Sequence, residues 1–251
     1  MPTWVWLLMT NTLLQIRDLT AGYQRKLPIL HTINVSVSHG QVVTLIGPNG
    51  AGKSTLIKTV ARLLDIQSGE IHLNGTSVSD YRADQMGELG VSYVPQLDNI
   101  FRTLTVQQNL TLAANRLSGN RLDAIQSMYS LFPALEAFSS LRAGGLSGGQ
   151  RQMLAIAMAL IVEPRLMLMD EPTAGLSPKI AQEVLALIQR AAQSGVGILL
   201  VEQNAKAALA ISDHAYVLAE GRNQIDGTGA DVLDDPRLGK IYLGAWRQDT
   251  A

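Results

Sequence analysis

Gly47-Pro48-Asn49-Gly50-Ala51-Gly52-Lys53-Ser54-Thr55 is the stretch on which the fold turns. It has the spacing GxxxxGK[ST], and its flanks fit. The β-branched run at 41–47 reads as a strand entering the loop, and residues 53–64 as a helix leaving it. Glycines let successive backbone N–H groups turn inward and approach phosphate oxygens closely. The helix N-terminus adds the positive end of its dipole. In such a loop Lys53 meets the β- and γ-phosphates as a point charge, and Ser54 supplies an oxygen to Mg²⁺. At average composition the pattern arises in ~1% of chains this long. The strand–loop–helix setting makes a Gly-rich turn with a solvated lysine rarer still.

Outward from the loop, strands and helices alternate, which points to an α/β fold. Short apolar runs at 91–96, 165–170 and 197–202 read as buried strands, with a later one at 214–218. Residues 13–37 and 70–73 read as antiparallel strands, with turns at Ala21-Gly22 and Asn74-Gly75. Residues 98–162 lack β-branched runs and read as helical, with breaks at Pro133 and Gly144-Gly145. The expected architecture is a P-loop NTPase (RecA-like) core with an N-terminal antiparallel β subdomain and an inserted α-helical subdomain.

Composition narrows the function. A chain of 251 residues suits one large domain, and 47% apolar residues supply an ample core. A net charge of −1 argues against broad electrostatic binding of nucleic acid. The absence of cysteine excludes disulfides, iron–sulfur clusters, thiolate zinc sites and cysteine nucleophiles. His31, His39, His72 and His214 show no metal-ligand spacing such as HExxH. No run reaches the ~18 consecutive apolar residues of a transmembrane helix. The apolar start, residues 1–9, has no Lys or Arg before it and no small-residue cleavage site, so it does not read as a signal peptide. Met9 is an alternative start, which would make the first eight residues non-native.

Two more motifs carry chemistry. Leu166-Met167-Leu168-Met169-Asp170-Glu171 reads as a buried strand ending in two carboxylates. Acids at the carboxyl end of a parallel strand face the ligand crevice. Alone, the pair would be a solvated acidic turn. Beside a phosphate loop, Asp170 is placed to hold Mg²⁺ through its water shell and Glu171 to polarise an attacking water as general base. Leu146-Ser147-Gly148-Gly149-Gln150 precedes a helical stretch at 151–162, and Ser147 with Gln150 fits a Ser-x-x-Gln capping box. Two glycines in a first turn cost about 1 kcal/mol each relative to alanine. They suggest that something approaches that backbone, and a helix N-terminus with an open serine is an anion site.

In that order, GPNGAGKST, LSGGQ and LMLMDEPT resemble the motifs of the ATP-binding subunits of ABC transporters, over about residues 11–240. The resemblance implies a single ATPase domain at 11–240, with core 11–96 and 164–240 and helical subdomain 97–163. It leaves an extension at 1–10 and a tail at 241–251. The implied ligands are ATP and Mg²⁺. In that family two such domains pack head to tail with ATP between them. Gly47, Pro48, Asn49, Gly50, Ala51, Gly52, Lys53, Ser54 and Thr55 would hold the chain's own nucleotide. Ser147, Gly148, Gly149 and Gln150 would act on the partner's. Tyr23 stands where the family stacks an aromatic on adenine. Gln96 matches the glutamine that senses Mg²⁺ and the membrane partner. The implied catalytic set is Glu171, Lys53, Gln203 and Gln96, and the implied metal set is Ser54, Gln96 and Asp170.

The chain departs from the family pattern twice. Gln203 falls at the family's switch histidine; it can donate a hydrogen bond to the γ-phosphate but carries no proton charge. Ser177 stands where many members have aspartate, and with Pro178 it reads as an N-cap and first-turn pair. The stretches at 93–109, 170–178 and 200–204 are similar to the shorter ATP-binding subunit of branched-chain amino-acid importers, in which glutamine at the switch is usual. Urea or short-amide import, a non-transport role and an export role are the alternatives. The implied partners are two transmembrane permease subunits, a paralogous ATP-binding subunit in preference to a second copy of this chain, and indirectly a substrate-binding protein. No nucleic-acid partner is implied. The implied location is peripheral, on the cytoplasmic face of the plasma (inner) membrane. Leu97, Ile100, Phe101, Leu104 and Val106 follow Gln96 and read as either core or the lining of a groove for a permease segment.

Overall fold

The structure is a computed structural model that describes residues 12–117 and 119–243. The extension at 1–10, its alternative start at Met9, and residues 244–251 of the tail lie outside the described residues. In chain order the elements are β1 (Thr12–Ala21), β2 (Leu30–Ser38), β3 (Val42–Ile46), α1 (Lys53–Val60), β4 (Ile66–Leu73), β5 (Thr76–Ser77), β6 (Val91–Val94), α2 (Val106–Ala114), α3 (Arg121–Leu131), α4 (Pro133–Ala137), α5 (Gly148–Leu160), β7 (Leu166–Asp170), α6 (Pro178–Gln193), β8 (Gly197–Val201), α7 (Ala205–Leu209), β9 (His214–Ala219), β10 (Arg222–Gly227), α8 (Gly229–Asp234) and α9 (Pro236–Tyr242).

Two sheets result. An antiparallel sheet runs β2-β1-β4-β5, and a second sheet runs β10-β9-β3-β8-β7-β6. From β9 to β6 the second sheet is parallel; β10 pairs antiparallel at its edge. Strands β3, β7 and β8 are buried at every position, because a parallel sheet is covered on both faces. Alternation decides which cover each side chain meets. Met167, Met169, Ile198 and Leu200 pack with Leu154, Ile156 and Ile188 of α5 and α6. Leu166, Leu168, Leu199 and Val201 pack with Leu56 and Ile57 of α1 and with Ile16, Ile33 and Ile71 of the small sheet. Each such side chain contributes about 1.5–3 kcal/mol on burial, which fixes the register of the strands whose ends carry the polar residues.

Several boundaries differ from the sequence reading. Strands β6 and β8 stop at Val94 and Val201, which leaves Gln96, Glu202 and Gln203 in loops at the carboxyl ends. Helix α1 ends at Val60 rather than at 64, because Arg62 turns left-handed (φ 59°) and its guanidinium donates to the carbonyls of Ser79 and Tyr81. Pro133 starts α4 as its first residue, whereas Gly144 and Gly145 lie in a 3₁₀ turn. Ser177 and Pro178 hold the N-cap and first positions of α6, but the Ser177 side chain makes no cap hydrogen bond. His214 is half-buried, edge-on to Tyr216 with ring centroids 4.8 Å apart.

Candidate nucleotide site

Residues 47–55 join β3 to α1 at the carboxyl end of the parallel sheet. Gly47 holds φ +145°, and a Cβ there would overlap the Leu218 carbonyl, so only glycine fits. Asn49 and Gly50 are exposed, whereas Gly52, Lys53 and Thr55 are buried. No acidic residue sits in the first turn of α1, so the partial positive charge of its N-terminus is uncompensated within the helix. Lys53 is 5% exposed and donates from Nζ to the carbonyls of Gly47 (2.7 Å) and Pro48 (3.0 Å). Burial lowers its pKa, and the carboxylates of Glu171 and Asp170 work against that.

Strand β7, separated from β3 by β8, delivers the acids. Ser54 donates from Oγ to Asp170 Oδ1 over 3.0 Å. Burial pushes the Asp170 carboxyl above the usual carboxylate range, with the Ser54 bond offsetting part of the effect. Glu171 turns left-handed at φ 51°, and its backbone N–H donates to the Val201 carbonyl. Strain of this kind costs of order 1 kcal/mol and clusters at functional sites. The turn swings the Glu171 side chain to Oε2 contacts with two amides at once: Gln96 Nε2 and Gln203 Nε2 each donate to it over 2.7 Å. Lys53, Ser54, Asp170, Glu171, Gln96 and Gln203 therefore form one cluster. Tyr23 is 59% exposed in the connection between β1 and β2, and the Lys58 ammonium of α1 lies 5.9 Å from its ring centroid.

The Ser147 turn stands apart. Ser147 Oγ accepts from the Gln150 N–H, and the Gln150 side chain accepts from the Ser147 N–H, so the capping box is real. Among the described residues no hydrogen bond links this turn to residues 47–55. The two glycines have different reasons. Gly149 is buried, and a Cβ there would overlap Ile180 Cγ2 of α6, so it is needed for packing inside this chain. Gly148 is exposed, with only Leu176 Cδ2 at 3.5 Å from a Cβ, so it leaves the backbone open to an outside group.

Of the apolar residues after Gln96, Val106 is core, Ile100 and Leu104 are half-buried, and Leu97 and Phe101 are exposed. Phe101 helps to line a groove of about 840 Å³, with Met86, Tyr93, Leu112, Met158 and Val162. Two polar residues escaped the sequence reading. Glu202 is buried and accepts from two backbone N–H groups; its signal was a carboxylate closing an otherwise apolar run. The Tyr242 hydroxyl accepts from the Gly47 N–H over 3.0 Å, a contact across 195 positions with no local signature.

A phosphate loop between strand and helix, with paired acids on a nearby parallel strand, defines a P-loop NTPase. Residues 30–174 match the sequence profile of the family described as ABC transporter. The chain is 40% identical over 92% of its length to the probable branched-chain amino acid transport ATP-binding protein LivF of Archaeoglobus fulgidus, covering 99% of that protein. It is 39% identical over 90% of its length to the high-affinity branched-chain amino acid transport ATP-binding protein BraG of Pseudomonas aeruginosa, covering 98% of it. It is 31% identical to the lipopolysaccharide export system ATP-binding protein LptB of Acidithiobacillus ferridurans, covering 93% of this chain and 98% of that one. Among solved structures, an ATP-binding cassette of an ABC transporter in its ADP conformation superposes with a TM-score of 0.83 at 25% identity, covering 93% of this chain and 99% of that one. The chain belongs to the ABC transporter family and is an ATP-binding, ATP-hydrolysing subunit. Among the described residues no helix is long and apolar enough to cross a membrane.

Proposed function

We propose that this ATPase energises import of branched-chain amino acids, with Glu171 as general base and Gln203 and Gln96 holding its carboxylate. The observation that carries the chemistry is the pair of 2.7 Å amide bonds to Glu171 Oε2, beside the Ser54–Asp170 contact. The cargo reading rests on the two relatives near 40% identity that carry that name.

In this reading residues 47–55 cradle the phosphates, Lys53 leaves its carbonyl partners for the β/γ-phosphates, and Tyr23 stacks on adenine. The donor set also fits Mg²⁺. Ser54 and Asp170 offer hard oxygens, but no group of three or more His, Cys, Asp or Glu among the described residues could hold a metal unaided. Mg²⁺ takes one or two protein oxygens plus substrate phosphates in such sites. When bound it neutralises charge on the β- and γ-oxygens. Ser54, Asp170 and the Gln96 side chain would face it.

Ser147, Gly148, Gly149 and Gln150 do not reach this chain's own loop, which favours their acting on a partner's ATP, with Gly149 also filling its packing role. The partner is a paralogous ATP-binding subunit in preference to a second copy. Closing the pair over two ATP molecules turns two permease subunits outward, and hydrolysis reopens it. The groove beside Phe101 suits an apolar permease segment, and in this reading the subunit works peripherally on the cytoplasmic face of the inner membrane.

The test is uptake of labelled leucine and labelled urea in cells carrying wild-type chain or Glu171→Gln. Loss of leucine uptake alone supports the proposal. Loss of urea uptake alone keeps the mechanism and moves the cargo. The relative named for lipopolysaccharide export supports a second reading, and retention of both uptakes with loss of lipopolysaccharide at the outer surface would favour it.

A further inference from the structure

We infer that Glu202 is a positioning residue for ATP hydrolysis, its carboxylate tying the loop after Glu171 to the backbone of Gln203. Glu202 is 2% exposed. Its Oε1 accepts from the Thr173 N–H (3.0 Å) and its Oε2 from the Gln203 N–H (3.2 Å). Its own N–H donates to the Leu45 carbonyl on β3, the strand that enters the phosphate loop. One residue therefore joins three segments of the site. The sheet itself ends at this level: the last rung between β7 and β8 is the Glu171 N–H to the Val201 carbonyl. Beyond it the two chains part, and the Glu202 carboxylate takes over as the link.

A closed ring follows. Glu202 holds the Gln203 backbone, the Gln203 amide holds Glu171, and two residues beyond Glu171 the Thr173 backbone returns to Glu202. Pro172, inside the ring, has its φ fixed by its own side chain. Burial, helped by the nearby Glu171 charge, raises the Glu202 pKa, and the Thr173 hydroxyl and the two backbone N–H donors work against that. A carboxylate suits the place because it accepts on both oxygens, whereas a side-chain amide accepts on one. An apolar residue would leave two N–H groups without partners. Glu202 makes no hydrogen bond to Lys53, Ser54 or Asp170, so it acts on the reaction through Gln203 and Glu171.

The inference rests on Gln203 acting at Glu171, and the experiment separates the two. Steady-state ATPase kinetics and nucleotide affinity are measured on the full chain with its copurifying subunits, for Glu202→Gln, Gln203→Ala and the double variant. Glu202→Gln preserves shape but sets an NH₂ against one backbone N–H. Expected is a 10- to 100-fold fall in kcat, the scale of a sub-ångström to 1 Å misplacement, with KM and ATP affinity within about twofold. In the Gln203→Ala background the same change should cost less than about threefold, because residues acting as a unit are not additive. A purely structural role would lower Tm and leave the kcat of folded protein alone. Glu202→Gln within twofold of wild-type kcat, or fully multiplicative losses in the double variant, overturns the inference. A slow Glu202→Gln beside an unimpaired Gln203→Ala overturns it too, and with it the role given to Gln203. A slow Gln203→Ala beside a normal Glu202→Gln overturns this inference only. If Glu202→Gln does not fold, Glu202→Asp takes its place: the charge stays, the shorter arm cannot span both N–H groups, and the same kcat loss is expected.

Discussion

Gln203 Nε2 donates to Glu171 Oε2 over 2.7 Å, and it shares that oxygen with Gln96 Nε2. Two neutral donors orient the carboxylate without adding a titrating group beside it. Gln203→Ala should therefore lower kcat about 10- to 100-fold, as loss of a positioning contact does, with ATP affinity nearly unchanged. Gln203→His should introduce an inflection near pH 6.5, where imidazole changes charge, in a kcat–pH profile that lacks it in the wild type. An inflection there in the wild type cannot come from an amide at 203, so its appearance would point to another titrating group in the assembled complex.

Gly148 and Gly149 are adjacent but should fail differently. Gly149→Ala drives a Cβ into Ile180 Cγ2, a methyl on a β-branched side chain with little freedom. Overpacking of this kind costs about 1–3 kcal/mol, read as a lower Tm, and Ile180→Ala should recover most of it. Gly148→Ala meets only Leu176 Cδ2 at 3.5 Å. It should keep Tm and lose ATPase activity in the assembled complex, because the added methyl faces outward. Equal Tm losses in both variants would contradict the division.

Legibility in the sequence follows the range of the interaction. The phosphate loop, the acids at 170 and 171 and the Ser147 capping box could be read because their chemistry needs fixed residue types at short fixed spacing. The buried strands could be read because a parallel sheet leaves apolar runs. Strand β10, Arg-Asn-Gln-Ile-Asp-Gly, could not: it is an edge strand with one buried residue, so no alternation marks it. The turn expected at Ala21-Gly22 is the start of an eight-residue connection, 22–29, because β2 begins only at Leu30. The reason for Gly149 lies in a helix contact 31 residues away at Ile180. The meeting of Gln96, Glu171 and Gln203 was suggested by resemblance, but that both amides share one carboxylate oxygen needed the fold.

Tyr242 tests a contact of the longest range. Packing of Ile241 with Val217, Ile225 and Val232 anchors α9 beside the sheet. From there the Tyr242 hydroxyl reaches the N–H of Gly47, the first glycine of the phosphate loop. Tyr242→Phe leaves a buried N–H without its partner, at a cost of about 1–3 kcal/mol. For a chain of this size that lowers Tm by roughly 2–4 °C per kcal/mol. Thermal unfolding checks it. An unchanged Tm would mean that water replaces the phenol at no cost.

Asp170 sets the pH dependence of stability. Burial raises its folded-state pKa above the ordinary ~3.9, despite the Ser54 hydrogen bond. Between the unfolded and folded values the native state keeps a proton that the unfolded chain has released. Stability therefore falls as pH rises through that window, and the loss persists above it. Asp170→Asn removes the loss, so its Tm should exceed wild type at neutral pH, with the gap closing as pH falls and the wild-type carboxyl takes up its proton. Glu202 shifts in the same direction, so the informative quantity is the difference between variants rather than either slope. The same variant should lose hydrolysis and most of the stabilisation that wild type gains from Mg²⁺ with ATP. A neutral-pH Tm below wild type would show that the attraction of Lys53 and Lys58 outweighs burial. The expected result makes Asp170 a charge held at the expense of the folded state, as a group selected for its ligand would be.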